Sequence, residues 1–306
     1  MSVASDRLES IAGGAAAETP LQRFVAQFCA SRVALAALAV LALLILAGLA
    51  APWLAPQNPY DLAKVTVSDA RLAPGERGSA GFVMWLGSDG AGRDMLSAML
   101  YGLRISLGVG VISGIIAFAL GMAIGLTAAY LGGRVDAFIM RVVDIQLSFP
   151  AILVALILVA ILGRGVDKVV IALILAQWAY YARTVRGSAM VERSKEYIEA
   201  ARCLALPAPR IVFRHLLPNC LAPMIVVGTL QTAHAISLEA TLSFLGVGLP
   251  QTEPSLGLLI ANGFEYMLSG KYWISFYPGL ALLVTIMSIN LVGDQLRDVL
   301  NPRLER

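Results

Sequence analysis

Six apolar runs alternate with polar segments along the chain, and they predict six membrane-spanning helices. Val33 to Ala51 is nineteen residues with no polar interruption, enough to cross a hydrocarbon core about 30 Å thick. A cleaved leader has an apolar core of only about 7–15 residues. This run is longer and begins late, so it is expected to be a retained span. Ile105 to Tyr130 carries no charge. Phe138 to Leu162 has Asp144 and Pro150 in its first half, and Asp144 is expected to pair with Arg141 one turn earlier. Val169 to Ala182 is the shortest run. It spans only if the helix continues through Arg183 to Val185, with the arginine reaching for the interface. Met224 to Leu245 carries Gln231, His234 and Glu239, and Ile274 to Val292 is the last run.

A polar island between apolar runs is Tyr197 to Asn219, YIEAARCLALPAPRIVFRHLLPN. Tyr197, Ala200, Ala201 and Leu204 recur at helical spacing and predict one apolar stripe, with Glu196, Glu199 and Arg202 on the other side. Lys195 and Arg202 lie within one turn of Glu199 and are expected to flank it. Pro207 and Pro209 disfavour helix at the residues before them, so the helix should stop by about Leu206. A second short helix is expected from near Arg210 to Leu217, ahead of Pro218. Outside the runs, residues 1–31 form a polar tail and 52–104 a proline-containing segment ending in Gly87-Ser88-Asp89-Gly90-Ala91-Gly92-Arg93-Asp94. The chain then divides into a first span at 32–51, a core of five spans at 105–293 that includes the loop 188–222, and a second tail at 294–306.

Composition supports a polytopic membrane protein: 58% of residues are hydrophobic and 14% charged, against about 25% charged in soluble domains. With six spans and the N-terminus inside, fifteen lysines and arginines fall on the face carrying both tails and the 188–222 loop, and eight on the other. The positive-inside rule therefore orients both tails to the cytoplasm. Trp53, Tyr272 and Trp273 are expected at the outer interface. Three cysteines, Cys29, Cys203 and Cys220, suggest no disulfide framework. A net charge of +3 gives no reason to expect a nucleic-acid partner. None of the four lysines is followed by Ser or Thr, so there is no phosphate-binding loop. There is no H-E-x-x-H, no zinc-ligand set and no Gly-x-Ser-x-Gly elbow. An enzyme is therefore disfavoured. Glu239 can face a water-filled pathway, alongside His234 and Gln231, or be satisfied by a neighbouring helix; a charge in the bilayer demands one or the other.

Several stretches carry a family resemblance. Glu199-Ala200-Ala201 followed by His215-Leu216-Leu217-Pro218-Asn219 resembles the EAA loop of permease subunits of binding-protein-dependent ABC importers. The resemblance implies that Glu199, Ala200, Ala201, Arg202, Ala205, His215 and Pro218 belong to a coupling helix and loop that dock into an ATPase subunit. The family usually has glycine where this chain has Ala205. A glycine there suits a left-handed helix end, which costs an alanine roughly 1–2 kcal/mol. Gly87 to Asp94, Leu242 to Gly248, and Asn290, Gly293, Asp294, Arg297, Asp298, Asn301 and Pro302 resemble the peptide and nickel branch. Leu256 in Pro254-Ser255-Leu256-Gly257 departs from it, standing where tryptophan is usual. The implied protein is an all-α, six-span, type I importer permease of the C-type in the bacterial inner membrane. It would pair with a second permease, two cytoplasmic ATPase subunits that bind ATP and Mg, and an extracytoplasmic substrate-binding protein, within membrane lipid. It would hold no cofactor or metal of its own. Peptide is the implied cargo; a nickel chelate, an opine or glutathione are alternatives within the family, and a secondary transporter is the rival outside it.

Overall fold

The computed structural model describes residues 19–61 and 65–300; the expectations for residues 1–18, for Lys64, and for Asn301 and Pro302 lie outside these. The chain is a helical bundle. Helix α1 (Pro20–Ala30) starts on a reciprocal cap, in which Thr19 Oγ1 accepts from Gln22 N and Gln22 Oε1 accepts from Thr19 N. This pairing satisfies two donors that the first helical turn leaves free. Helix α2 (Arg32–Leu49) follows after Ser31, whose hydroxyl accepts from Ala34 N. Then come α3 (Met95–Leu131), α4 (Gly133–Leu147), α5 (Ala151–Leu162), α6 (Val166–Arg193), α7 (Glu196–Cys203), α8 (Ala208–Phe244), α9 (Leu256–Phe264) and α10 (Trp273–Leu300).

Four of these, α2, α3, α8 and α10, are long and apolar enough to cross a membrane, and the pair α4–α5 adds a fifth if it counts as one span. The count differs from six for two physical reasons. The run expected to cross at Phe138–Leu162 is bent by 87° between α4 and α5, at Ser148–Pro150, where the proline cannot continue the hydrogen-bond ladder. The fourth run forms a continuous helix to Arg193, well beyond Val185. At about 1.5 Å per residue its 28 residues reach roughly 42 Å. Its polar residues keep it below the apolarity of a lipid-facing helix.

Small residues set the packing. A Cβ on Gly121 would sit 2.4 Å from Tyr181 Cβ, and one on Gly125 2.5 Å from Ala182 O, so α3 runs backbone-close to α6. On the same helix, a Cβ on Gly110 would meet Ile236 of α8 at 2.4 Å. The paired glycines thus bring helices of this one chain together, as small-residue spacing does in membranes. Asp144 pairs with Arg183 of α6 rather than with Arg141, and Arg186 Nη2 donates to Asp136 Oδ2 at 2.6 Å. The α4 carboxylates therefore neutralise the arginines that give α6 its polarity.

Among the described residues, the segment before α3 is a hydrogen-bonded platform with isolated bridges and no regular strands. Asp89 accepts from Arg93 Nε at 2.7 Å and from the Ala91 and Arg93 amides, each at 2.9 Å, while Arg93 Nη1 donates to Gln251 O at 3.2 Å. Asp94 caps α3 by accepting from Ser97 N at 2.7 Å. The turn-rich Gly87–Asp94 stretch thus ties the platform, α3 and the 246–255 loop together. Trp53 is 84% exposed and Tyr272 56%. Trp273 differs: it is buried against Met95 and Ile274, because Gly87 leaves room for its indole.

Candidate functional site

The polar stretch 188–222 forms one end of the bundle. Helix α7 is eight residues long and rests on the bundle through Ile198 and Ala201, which cluster with Ile211, Leu206 and Tyr130. The expected stripe is therefore corrected by one position. Ala201 faces inward, but Tyr197, Ala200 and Leu204 are exposed, and Ile198 replaces them in the core. Two anchors one turn apart suffice because the helix has only two turns to seat.

The helix ends as a left-handed cap. Ala205 has φ of 51°; Leu206 N bonds Ala201 O at 3.2 Å and Ala205 N bonds Arg202 O at 2.9 Å. Those two bonds are the six-to-one and five-to-two pair of the Schellman motif, and the accompanying apolar contact is Leu206 with the Ala201 cluster. Alanine thus occupies the conformation that glycine takes most easily. Pro207 follows in extended conformation and caps the next helix.

That next helix does not stop before Pro218. It runs from Ala208 to Phe244 through a π-helical stretch, Ile211–Leu216. Leu217 N reaches back to Val212 O, five residues rather than four. The wider turn relaxes the clash that Pro218 would make with the preceding turn of a regular α-helix, so the proline is carried inside one long helix. Pro218 itself is exposed and His215 half-buried.

Glu199 points outward. It makes no ion pair among the described residues: Lys195 Nζ donates instead to Glu192 Oε1 at 2.6 Å, and the Arg202 guanidinium lies 6.0 Å from the Tyr130 ring centre. Leu204 (75% exposed) and Phe213 (67%) are open as well. The sequence reading missed the role of Tyr197. Its hydroxyl donates to Glu192 Oε2 at 2.8 Å and accepts from Asn219 Nδ2 at 3.2 Å, while Asn219 Nδ2 also donates to His215 O at 2.6 Å. Burial and the Glu192 carboxylate push the Tyr197 hydroxyl up to about 12. The available signal was Asn219 closing the His215–Asn219 stretch: an amide just after a proline can serve the carbonyls that the helix leaves free.

The second candidate group does not assemble. Glu239 is wholly buried, and Ser106 and Ser243 donate to its carboxylate at 2.9 and 2.8 Å, with Ser255 as a third partner. It lies where α3, α8 and the first turn of α9 meet. His234 is exposed and Gln231 half-buried; five residues of helix separate His234 from Glu239, about 140° of rotation. These three residues do not line one surface.

Residues 121–306 match the family described as the binding-protein-dependent transport system inner membrane component. The chain belongs to that family. It is therefore a multi-pass inner-membrane component of a transport system and not an enzyme. Residues 19–74 also match the N-terminal TM domain of oligopeptide transport permease C. The dipeptide transport system permease protein DppC of Escherichia coli (strain K12) is 39% identical over 291 residues, 94% of this chain and 95% of that one. The di/tripeptide transport system permease protein DppC of Pseudomonas aeruginosa (strain UCBPP-PA14) is 37% identical over 290 residues, 94% and 93% of the two chains. Among solved structures, a chain of the MetNI methionine ABC transporter in an inward-facing form superposes with a TM-score of 0.56 at 20% identity. The match covers 67% of this chain and 97% of that one, which establishes a shared type I importer permease fold. Helices α1 and α2 lie within the residues that match the N-terminal TM domain.

Proposed function

We propose that this chain is the C-type permease of an ATP-driven peptide importer and that α7 is its coupling helix. The observation that carries the reading is α7 itself: a short helix seated by two apolar residues, with Glu199 unpaired and turned outward at one end of the bundle. Such a helix can be gripped by another protein and moved as a unit. The relatives' names supply the cargo class, a short peptide; nickel chelates, opines and glutathione remain competitors in a binding assay. The partners are a second permease, two ATPases that bind ATP and Mg, and an extracytoplasmic binding protein. Both tails and α7 lie in the cytoplasm, with α4–α5 and α6 completing six spans. This assignment keeps the divisions 1–31, 32–51, 52–104, 105–293 and 294–306.

Glu199 would meet a basic or amide-donating group in the ATPase cleft. Truncating one member of such a partly buried charged pair costs about 2–5 kcal/mol, whereas an exposed helix pair is worth only about 0.2–0.5 kcal/mol. The test is the reconstituted complex with Glu199→Ala. The permease pair should insert normally, while ATPase attachment weakens or transport per ATP falls. Normal attachment together with normal coupling would remove Glu199 from the mechanism. A secondary transporter would instead work without copurifying ATPase; its best carboxylate, Glu239, is enclosed by serine hydroxyls.

A further inference from the structure

The structure assigns to Tyr197 a positioning role: its hydroxyl is the tether that holds the coupling helix to the last turn of α6 and to Asn219 of α8. The inference rests on the reading of α7 as the coupling helix. Three elements meet at one oxygen. Glu192, in the last turn of α6, accepts from the Tyr197 hydroxyl at 2.8 Å. Asn219, at the start of the regular part of α8, donates to the same oxygen at 3.2 Å. Asn219 also donates to His215 O at 2.6 Å, within the π-helical stretch. Lys195, between α6 and α7, closes the far end of the chain through Glu192 Oε1 at 2.6 Å.

The chemistry requires a hydroxyl. It must donate to a carboxylate and accept from an amide at once; phenylalanine does neither, although it fills the same space. A phenol already keeps its proton at physiological pH, and burial and the Glu192 carboxylate strengthen that further. Elsewhere α7 is seated by Ile198, Ala201 and their neighbours and by the Arg202 guanidinium over the Tyr130 ring, contacts that fix position but add no hydrogen bond to fix rotation. A directional bond at Tyr197 supplies the missing constraint. A push on α7 then reaches α6 and α8 together instead of rolling the helix on its apolar seat.

A native thiol reports on the joint. Cys220 follows Asn219, is fully buried, and packs in one cluster with Ala189 of α6. Cys29 and Cys203 are exposed and can be replaced by serine. In the full reconstituted complex, maleimide labelling of Cys220 and substrate transported per ATP are measured together. Tyr197→Phe should insert and bind the ATPases normally. Labelling should accelerate roughly three- to tenfold, the range for losing one ordinary hydrogen bond, and transport per ATP should drop. Asn219→Ala should act alike, and the double variant should be no worse than either single one. Glu192→Gln keeps an acceptor and should stay near wild type, whereas Glu192→Ala should match Tyr197→Phe.

Wild-type labelling and coupling in Tyr197→Phe would overturn the proposal, as would additive effects of the two single variants. Loss of inserted complex in Tyr197→Phe would also overturn it, because the tyrosine would then serve folding. Glu199→Ala, run in parallel, separates the two readings. If Glu199→Ala uncouples while Tyr197→Phe changes nothing, the tether alone fails. If Glu199→Ala leaves both ATPase attachment and coupling intact, the coupling reading fails first.

Discussion

Ala205→Gly should make the end of α7 more stable, not less. Alanine at φ of 51° sits in the left-handed region, where an L-residue pays roughly 1–2 kcal/mol. Glycine removes that strain but widens the unfolded ensemble, at about 0.4–1 kcal/mol. Nothing else need change, because Ala205 is exposed and its amide still reaches Arg202 O. The net expectation is about 0.5–1 kcal/mol in favour of the cap.

A gain of that size is a local quantity. Its reporter is the Leu206 amide, whose bond to Ala201 O at 3.2 Å exists only while the cap is closed. Hydrogen exchange at Leu206 should slow about two- to fivefold in Ala205→Gly, since 1.4 kcal/mol corresponds to tenfold. Ala200→Gly is the control: it lies mid-helix, where glycine costs roughly 0.5–1 kcal/mol, so exchange should quicken. Faster exchange in Ala205→Gly would refute the reasoning, because the strain assigned to φ at this position would then not be the controlling quantity. Transport per ATP should stay unchanged.

Three further outcomes are expected. Glu239→Leu leaves the Ser106, Ser243 and Ser255 hydroxyls without their acceptor, at about 1–3 kcal/mol for each that finds no other; thermal unfolding of the purified complex should show the loss, and Glu239→Gln should be milder. If Glu239→Gln keeps full stability but loses transport, the residue acts on substrate instead of on packing. Gly121→Ala forces a Cβ to within 2.6 Å of Trp178 O, so overpacking should cost about 1–3 kcal/mol, read as a lower midpoint in the same assay. Cysteines placed at Ser68 and Glu305, in a background lacking native cysteine, should label from opposite membrane sides; labelling of both from one side would sink the six-span arrangement.

The apolar runs made α2, α3, α8 and α10 legible because each carries an apolar window long enough to cross a membrane, which is what hydropathy measures. The motif around Glu199 pointed to the stretch that folds as α7, the helix proposed to couple to an ATPase. The register of α7 was not legible. Tyr197, Ala200 and Leu204 satisfy the helical period as well as Ile198 and Ala201 do, and only the neighbours Tyr130, Leu206 and Ile211 decide which set is covered. Pro218 misled for a related reason. A proline ends a helix when it clashes with the preceding turn, and here that turn is π-helical and wider, with the Asn219 side chain donating to the His215 carbonyl beside it. Glu239 gave a true signal of burial but not its cause, since Ser106 lies 133 positions away in sequence.

The most polar long helix, α6, shows why apolarity and membrane position part company. It packs against α3, α4, α5 and α8, so much of its surface meets protein and not lipid. A helix in that place needs small residues for close approach and partners for its charges, and it has both: Ala182 against Gly125, Arg186 with Asp136, and Arg193 donating to Ala129 O at 2.6 Å. Only Ser194 and Lys195 separate it from α7. The joint on the other side of α7, Leu204 to Pro207, is longer and holds the strained Ala205. A displacement of α7 therefore has a short, hydrogen-bonded route into α6, and through it to α3, α4 and α5, and a looser one into α8. On the coupling reading, the interior of the bundle is moved directly, and α8 follows through the bonds that Asn219 makes.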